Sequence, residues 1–476
     1  MACDPSTSLD RVIDEWLGTS LDCSCGRRHE VTTRSVVRDR RGEILAADLA
    51  GREAGRPRWI LVCCDANTQT VAAQLVAALG CRGFDPSVVP LPASPDELPV
   101  PDEATLDALH EAGGAFGCDL LIGVGSGTVN DVCKAAATRL SIEYIAYATA
   151  ASMNGYTSTV AALKRGGLKV TDPVEAPTAV YYDPNVIAHA PQELAAAGFA
   201  DLLSKYVCHA DWHLAHAILG EHYCPRLGAL SAQAVDTAVA DTSSDEYVSG
   251  TTPPNLMSAL LLSGMVMAMA GSSSPASGGE HLISHFWDMT RPGSGGRRWH
   301  GSQVGIGVLI TSALYERLRQ MDRPNQTPRP GVPDHATGHP TAIVGRSTLT
   351  WDELQAGLRA CFGHTSESVI DQARQKFLSP DQRVARVARI ADRWDTIWED
   401  LRPMLKSTDE LRALLQRVGA PVTVGELGLD TRAAIDALEW ARHLRARYTV
   451  LDFAADVGAF TPEDREAVLE ASGVLS

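Results

Sequence analysis

Short apolar runs alternate with amphipathic segments over the first part of the chain. The run RWILVCC, residues 58–64, is apolar after its first residue, which is typical of a strand buried on both faces. The Ala-rich segment 68–80 follows it and predicts a helix that ends at a glycine. The alternation continues, with strands predicted at 87–91, 119–124, 144–149 and 178–184 and a helix at 103–116. This pattern predicts an α/β domain, a parallel sheet with helices on both faces.

From Pro191 onward the apolar positions recur at helical spacing, and the remainder of the chain is predicted to be all-helical. The dipeptide Asp183–Pro184 marks a plausible domain boundary. We therefore expect an α/β domain over residues 1–188 and an all-α domain over residues 189–476. The first long helix carries a polar face with His209, His213 and His216. The Pro-rich segment 321–342 predicts a surface loop.

Composition and net charge exclude some classes of binding partner. At 476 residues, with 45% hydrophobic and 21% charged positions, the chain is typical of a globular protein of two or three domains. The formal net charge of -16 argues against a nucleic acid or an anionic membrane as partner, because phosphate groups repel an acidic surface. The longest apolar run, residues 256–270, is shorter than the ~20 residues that span a bilayer and predicts a buried helix. The first residues show no leader pattern, so we expect a cytoplasmic protein.

The eleven cysteines, an odd number, favour reduced thiols over a disulfide framework. Cys23, Cys25 and His29 form a compact cluster in the sequence CSCGRRH. This cluster is compatible with half of a zinc site, but the sequence supplies no second Cys pair to complete four ligands. The alternative is a turn that carries thiols.

A glycine-rich turn follows the predicted strand 119–124. Gly123, Gly125 and Gly127 stand in the sequence GVGSGTVND, directly before a predicted helix. Glycines at such a turn let backbone N–H groups point at an anion, and the helix dipole adds about half a positive charge there. The pattern is typical of a pyrophosphate cradle, although the spacing differs from GxGxxG and a plain tight turn has the same glycines.

Hydroxyl and amide side chains follow the predicted strand 144–149, in a turn over residues 150–163. The candidates are Thr149, Ser152, Asn154 and Ser158. Open α/β sheets bind ligands at the carboxyl ends of parallel strands, so these residues are candidate site residues. The alternative is a turn whose hydroxyls bond their own backbone.

Histidines concentrate in residues 274–305. His281 and His285 are four residues apart, so in a helix both imidazoles project from one face, as suits a divalent metal. His300 follows a Gly-rich segment, and Glu280 is a candidate acceptor that orients a ligand. Asp201, in the apolar context GFADLL, needs a partner, which is either a metal or Lys205 one helical turn later.

Five segments, taken in order, resemble the sn-glycerol-1-phosphate dehydrogenases: GVGSGTVND (123–131), SMNGYTS (152–158), GFADLLSKYVCHADWHLA (198–215), PASGGEHLISH (275–285) and HGSQVGIG (300–307). That family belongs to the iron-containing alcohol dehydrogenase and dehydroquinate synthase-like superfamily. The resemblance covers roughly residues 20–320, and CSCGRRH is similar to the opening of its bacterial branch. It implies a dehydroquinate synthase-like fold, with an α/β nucleotide-binding domain, an all-helical domain and the active site in the cleft between them.

The resemblance also implies a site. It implies one divalent ion, Zn²⁺ or Ni²⁺ with Fe²⁺ as a further option, held by Asp201, His281 and His300. The catalytic residues that we expect are His285, Asn154 and Lys205. The implied cofactor is NAD, or NADP, with Asp65, Asn67 and Thr68 on the adenosine ribose, Gly125, Ser126, Gly127, Thr128 and Asp131 near the pyrophosphate, and Thr149, Ser152 and Ser158 near the nicotinamide.

The implied activity is reversible NAD(P)H-linked reduction of dihydroxyacetone phosphate to sn-glycerol 1-phosphate, in phospholipid metabolism, by a cytoplasmic homodimer. One residue departs from the family, which usually has aspartate where this chain has Asn154. Alternatives therefore stay open. They are a dehydrogenase of a related polyol, phosphonate or sugar-derived carbonyl, a dehydroquinate synthase-like cyclase, and a cofactor-binding protein without turnover.

Overall fold

A computed structural model of the chain describes residues 8–57, 59–92, 99–166, 168–291, 299–324 and 350–475. The chain forms two compact units. The first is Met1–Leu202 with Pro225–Ser273, and the second is Leu203–Cys224 with Ser274–Ser476. The predicted domain boundary at residue 188 stays a prediction. Most of the predicted Pro-rich loop lies outside the described residues.

The strands that the structure describes all lie in the first unit. Their bounds are β1 Ser20–Asp22, β2 Arg28–Glu30, β3 Ser35–Arg38, β4 Ile60–Cys64, β5 Ser87–Pro90, β6 Leu120–Gly125, β7 Glu143–Ala148, β8 Val160–Arg165, β9 Leu168–Pro173 and β10 Ala179–Tyr182. Six of them form one sheet in the order β3-β10-β7-β6-β4-β5, and every neighbouring pair is parallel. β1 pairs with β2, and β8 with β9, as antiparallel hairpins. The predicted parallel sheet is confirmed.

Helices flank the sheet in the order that the sequence predicts. The first ten are α1 Leu9–Trp16, α2 Glu43–Ala50, α3 Gln69–Gly80, α4 Glu103–Phe116, α5 Gly127–Leu140, α6 Pro184–His189, α7 Gln192–Leu203, α8 Lys205–Leu219, α9 Pro225–Ser243 and α10 Leu256–Ala270. All residues of β4 and β6 are buried, which explains their continuous apolar pattern. The long helix predicted from Pro191 is interrupted at Ser204, so α7 and α8 are separate helices.

The second unit is helical, as predicted. After α8, its helices are α11 Gly279–Thr290, α12 His300–Arg319, α13 Trp351–Phe362, α14 Ser366–Lys376, α15 Pro380–Asp392, α16 Trp394–Leu401, α17 Thr408–Arg417, α18 Thr431–Trp440, α19 Val450–Asp456 and α20 Pro462–Ser472. Capping boxes begin several of them. At α13, for example, the Thr350 hydroxyl accepts from the Glu353 N–H while the Glu353 carboxylate accepts from the Thr350 backbone.

The apolar helix α10 is almost entirely buried, in agreement with its prediction as a buried helix. Within the ranges that the structure covers, every helix is too short or too polar to cross a membrane.

Candidate active site

Three neighbouring strands of the first unit end together. β4, β6 and β7 are adjacent and parallel, with Cys64 opposite Val124 and Gly125 opposite Ala148. We use the name cofactor edge for the carboxyl ends of these three strands together with the residues that follow each strand. Those residues run to Thr68 after β4, to Thr128 after β6 and to Ser158 after β7. The chain leaves β4 for β5 on one side and then returns to β6 on the other side. The cofactor edge is therefore a topological switch point, where open α/β sheets bind nucleotides.

Asp65 closes the turn from β4 into α3. Its Oδ1 accepts hydrogen bonds from the Asn67 N–H, the Thr68 N–H and the Thr68 hydroxyl, each at 2.9 Å. The Thr68 Oγ1 accepts from the Asp65 N–H at 3.0 Å. The three bonds to the carboxylate all use Oδ1, so the turn fixes the direction in which Oδ2 points. The structure thus brings the three predicted ribose residues into one turn.

The glycine-rich turn joins β6 to α5, as predicted. A Cβ at Gly125 would lie 2.5 Å from the Cβ of Val129, whereas at Gly127 the nearest neighbour would be Met153 Cγ at 3.6 Å. Packing therefore requires glycine at 125, and room exists at 127. Ser126 is the N-cap of α5 and makes no side-chain capping bond, which leaves the first N–H groups of α5 to an anion.

Asp131 and Lys134 face the protein interior. Asp131 Oδ2 accepts from the Ala162 N–H at 3.1 Å, and its Oδ1 lies 3.6 Å from Lys134 Nζ. Lys134 Nζ donates to the carbonyls of Gly155 and Val160 at 2.8 and 2.7 Å and to the Ser158 hydroxyl at 3.1 Å. Burial lowers the pKa of Lys134 and raises that of Asp131. Among the predicted pyrophosphate and nicotinamide residues, Asp131 and Ser158 thus form polar contacts beneath the cofactor edge.

The loop after β7 packs against α7 and α10. The predicted turn over residues 150–163 is shorter than expected, because β8 begins at Val160. A Cβ at Gly198 would lie 2.0 Å from the Ala151 carbonyl oxygen, and a Cβ at Gly264 would lie 2.3 Å from Thr157 Oγ1. Glycine at these two helix positions lets the loop backbone make contact.

This contact brings Asn154 to Asp201. Asn154 Nδ2 donates to Asp201 Oδ1, and the Asn154 N–H donates to Asp201 Oδ2, both at 3.2 Å. Because a carboxylate only accepts, the amide must present its nitrogen to Asp201. Asp201 is 1% exposed and Asn154 8%. This buried aspartate therefore has Asn154 as a polar partner, and the predicted metal or Lys205 partner of Asp201 stays a prediction.

The second unit brings three imidazoles together, which we call the histidine cluster. The ring centroids of His281 and His300 are 5.2 Å apart, and those of His285 and His300 are 5.7 Å apart with the rings stacked. His281 and His285 lie on α11, and His300 is the first residue of α12. The predicted histidines thus meet within one compact unit.

Each of two histidines has its Nδ1 against a protein oxygen. His281 Nδ1 lies 2.7 Å from Glu280 Oε1, which also accepts from the Gly278 N–H. Glu280 thus accepts a hydrogen bond from the backbone beside His281, and its role in orienting a metal ligand stays a prediction. His300 Nδ1 lies 3.2 Å from the Ser284 hydroxyl. When Nδ1 carries the proton, Nε2 is left as a donor of electrons to a metal.

The Ser284 hydroxyl belongs to a series of side-chain hydrogen bonds. Ser284 Oγ donates to Gln303 Oε1 at 3.2 Å, so the same hydroxyl accepts from His300. Gln303 Nε2 donates in turn to Asp288 at 2.9 Å. Sequence reasoning missed Ser284 and Gln303. The available signal was that each stands three residues after a histidine of the cluster on the same helix.

Behind His281, carboxylates are buried with backbone partners. Asp211 accepts from the Gly279 N–H at 2.7 Å, from the Tyr315 hydroxyl at 2.5 Å and from the Val450 N–H at 2.7 Å. Burial, and then the neighbouring Glu280 carboxylate, raise the pKa of Asp211. These contacts hold the start of α11, where Glu280 and His281 stand.

Lys205, the other predicted catalytic residue of the second unit, is 1% exposed. Its Nζ donates to the Ser204 hydroxyl at 3.2 Å. His285 is only partly buried. Of these two groups, His285 has the greater access to a bound molecule.

The chain is similar to known proteins of one family. The family model described as iron-containing alcohol dehydrogenase matches residues 45–191. The glycerol-1-phosphate dehydrogenase [NAD(P)+] of Halalkalibacterium halodurans is 33% identical over 62% of this chain and 74% of its own. The enzyme of that name from Bacillus licheniformis is 32% identical over 90% of each chain, and the one from Haloarcula marismortui is 28% identical over 83% and 85%.

Solved structures support the fold. A probable glycerol dehydrogenase from Sinorhizobium meliloti aligns with a TM-score of 0.56 at 15% identity, over 92% of this chain and 96% of its own. An iron-containing alcohol dehydrogenase from Thermococcus thioreducens aligns with a TM-score of 0.55 at 15% identity, over 94% and 99%. At these identities the likeness shows the fold alone. By the sequence relatives, the chain belongs to the glycerol-1-phosphate dehydrogenase family, within the iron-containing alcohol dehydrogenase superfamily.

Proposed function

We propose that this protein is an NAD(P)-linked glycerol-1-phosphate dehydrogenase that interconverts dihydroxyacetone phosphate and sn-glycerol 1-phosphate. The observation that carries the proposal is the histidine cluster, in which His281 and His300 each place Nδ1 against a protein oxygen and so present Nε2. Bacterial and archaeal relatives bear this activity in their names.

The donors fit a divalent metal. We propose that Asp201 joins His281 and His300 as the third ligand, because one carboxylate and two neutral imidazoles suit Zn²⁺, Ni²⁺ or Fe²⁺ and leave positions for substrate oxygens. When bound, such an ion supplies Lewis acidity toward the carbonyl or hydroxyl oxygen of the substrate. Asn154 holds the Asp201 carboxylate in a fixed direction.

The cofactor edge fits a dinucleotide. Asp65 would hold the adenosine ribose through Oδ2, with Asn67 and Thr68 in the same turn. The first N–H groups of α5, from Gly127 onward, would hold the pyrophosphate, and Thr149 and Ser152 would lie toward the nicotinamide. When bound, the nicotinamide supplies or accepts the hydride.

The remaining task is proton transfer, because reduction adds a hydride to carbon and a proton to oxygen. We propose that His285 delivers this proton, since an imidazole can donate and accept protons near neutral pH and His285, unlike the buried His281, is partly exposed. Lys205 is the proposed positive charge that favours the anionic substrate. Family membership also supports a phosphorylated substrate, a role in phospholipid metabolism, a homodimer and a cytoplasmic location.

The test is NADH oxidation by protein loaded with Zn²⁺ or Ni²⁺, using dihydroxyacetone phosphate and unphosphorylated dihydroxyacetone side by side. We expect turnover with the phosphorylated ketone and a product that an sn-glycerol-3-phosphate dehydrogenase does not oxidise. His189→Ala, at an exposed position of α6, is the matched histidine control and should behave as wild type. An sn-glycerol 3-phosphate product, or no NADH oxidation with either metal, would contradict the proposal. A cyclase would convert its substrate without net consumption of NADH.

One observation favours a second candidate. Asn154 presents its amide nitrogen to Asp201, whereas an aspartate at this position cannot donate. A neutral group here changes the charge near the proposed substrate site, so a related polyol, phosphonate or sugar-derived carbonyl is the alternative substrate. Higher kcat/KM for one of these compounds than for dihydroxyacetone phosphate, in the same assay, would identify it.

A further inference from the structure

The hairpin of β1 and β2 carries the chain's CSCGRRH segment at its tip. The Cys23 N–H donates to the Arg27 carbonyl at 3.0 Å, and the Gly26 N–H donates to the Cys23 carbonyl at 3.0 Å. Gly26 has a φ of 84° and thus closes a turn that other residues rarely adopt. This tight turn brings one ligand atom each of Cys23, Cys25 and His29 within 4.8 Å of one another.

His29 is oriented as a metal ligand. Its ring is fully buried, and Nδ1 lies 2.8 Å from the carbonyl oxygen of Met269, at the end of α10. Because a carbonyl only accepts, Nδ1 must carry a proton, so in the neutral ring Nε2 is the nitrogen with the lone pair that a metal needs. Nε2 lies 3.4 Å from Cys25 Sγ. A histidine that binds zinc characteristically donates its other N–H to a backbone carbonyl in this way.

A fourth donor, Cys224, directly precedes α9 in the chain. It is buried, and α9 begins at Pro225. Within the first unit, the guanidinium of Arg226 lies 4.7 Å from the ring centre of Trp16. The Thr19 N–H donates to the Trp16 carbonyl at 3.2 Å, directly before β1. The start of α9 is thus packed against the segment that leads into the hairpin.

We propose that Cys23, Cys25, His29 and Cys224 form a structural zinc site. Three thiolates and one neutral imidazole complete a tetrahedral shell of the Cys₃His type, which leaves no open position for a substrate. Thiolates select a soft or borderline ion, so zinc is favoured over the magnesium and calcium that oxygen ligands prefer. This site differs in donors from the proposed catalytic centre of Asp201 and two histidines.

A bound ion would also stabilise the β1–β2 hairpin. His29 already bonds the end of α10 through Met269, and the start of α9 adjoins Cys224. A bound zinc ion would therefore tie the short β1–β2 hairpin to both helices. Each of these strands has only three residues, and such a short hairpin is marginally stable by itself. We expect the ion to fold this N-terminal segment.

The experiment uses reduced, full-length protein saturated with zinc, or with Co²⁺ as a spectroscopic substitute. X-ray absorption at the zinc edge should show metal–sulfur distances of about 2.3 Å, and the cobalt protein should show thiolate-to-metal charge-transfer bands. His281→Ala should lose the nitrogen- and oxygen-bound ion and keep the sulfur-bound one. Cys25→Ser and Cys224→Ser should each lose one equivalent of metal and the sulfur signal. Cys81→Ser, at an exposed cysteine, is the control and should retain both.

The wild-type spectra decide the question even where a variant does not fold. Zinc-saturated wild-type protein without metal–sulfur scattering would overturn the proposal. So would a Cys25→Ser protein with the same metal content and sulfur signal as wild type. A disulfide between Cys23 and Cys25 in protein purified under reducing conditions, detected by mass spectrometry after thiol alkylation, would overturn it as well.

Discussion

The cofactor edge presents mainly backbone groups, whereas the histidine cluster presents side chains. At the cofactor edge, strand register and glycines place backbone N–H groups and one turn carboxylate, Asp65. In the histidine cluster the functional groups are side chains, and two of them, His281 and His300, contact a second side chain that orients the ring, Glu280 and Ser284 respectively. We infer that the cluster is sensitive to loss of a single acceptor, whereas the edge is sensitive to added atoms at Gly125 and to charge at Asp65.

The largest effect should come from the proposed metal ligands. His281→Ala and His300→Ala should each lower kcat/KM by more than about a hundredfold, because losing a ligand should exceed the 10–100-fold cost of losing an outer partner. Both variants should also lose the catalytic metal, measured by elemental analysis after dialysis. His285→Ala should keep the metal and lose turnover. Full metal occupancy in His300→Ala would show that this residue is not a ligand.

Glu280→Gln tests how far the cluster depends on an orienting group. The amide keeps the shape of the side chain but removes the charge that His281 Nδ1 faces, so the imidazole becomes a weaker ligand. We expect metal affinity to fall by about 10–100-fold, measured by competition with a chelator of known affinity. Ser284→Ala is the partner experiment on His300 and should cost less, since a neutral hydroxyl is lost. Equal affinities in Glu280→Gln and wild type would refute the dependence.

Asn154→Asp tests the hydrogen bonds by which Asn154 orients Asp201, a proposed metal ligand. The variant replaces a donor to Asp201 with a second carboxylate at the same place, so without metal two negative charges face each other in a buried site. We expect the metal-free protein to lose ~1–3 kcal/mol of stability. We expect Zn²⁺ to restore more stability than in wild type.

The same variant bears on the substrate. A carboxylate can partly neutralise the ion and accept a proton, so oxidation of glycerol 1-phosphate should gain about tenfold in kcat/KM, or ~1.4 kcal/mol. Steady-state assays in both directions across pH measure this. An unchanged protein, in stability and in both directions, would place residue 154 outside the reacting groups.

The α/β sheet was predictable because strands buried on both faces leave a continuous apolar record, as in β4 and β6. The glycine-rich turn was predictable for a related reason, since Gly125 has no room for a side chain. The histidine pair was found from its spacing on one helix. In each case the signal is local in sequence.

What could not be predicted depends on contacts between distant segments. Asn154 donates to Asp201 because Gly198 lets the loop backbone approach α7. A single glycine in a helical sequence does not indicate which distant segment packs against it. The β8–β9 hairpin was missed because β8 starts directly after a turn dense in hydroxyl side chains, and two of its first four residues are alanines, which are depleted in strands. The spacing of apolar residues also predicted one continuous helix through Asp201, whereas α7 ends and α8 begins around the buried Ser204.

Asp65→Asn sharpens the description of the cofactor edge. An amide oxygen can still accept the turn's hydrogen bonds from Asn67 and Thr68, so the fold of the turn should persist while the charge disappears. The carboxylate would repel the 2′-phosphate of NADPH, so the ratio of kcat/KM for NADPH to that for NADH should rise several-fold. Thr68→Val is the control for damage to the turn. An unchanged ratio in Asp65→Asn would show that another residue selects the cofactor.

The smallest effect concerns a buried histidine outside the cluster. The sequence predicts a polar face with His209, His213 and His216, but the structure buries His209 on α8 and leaves His216 exposed. Burial, and then the charge of Lys205, lower the pKa of His209 to about 3. The buried Lys134, by contrast, has four acceptors for its ammonium protons, which are the carbonyls of Gly155, Ser158 and Val160 and the Ser158 hydroxyl.

Between pH 6.5 and 3, the unfolded chain therefore binds a proton at His209 that the folded protein does not bind. The contribution of His209 to stability is complete above pH 6.5 and is lost as the pH falls toward 3. His209→Gln should remove this dependence, so that the loss of unfolding free energy between pH 7.5 and 5.5 is smaller than in wild type by ~1 kcal/mol. Denaturant unfolding at the two pH values measures the difference, and His216→Gln, on the exposed side of the same helix, should leave it unchanged. An identical acid dependence in His209→Gln and wild type would mean that His209 takes up a proton without unfolding, and that its burial is relieved by a local rearrangement of α8.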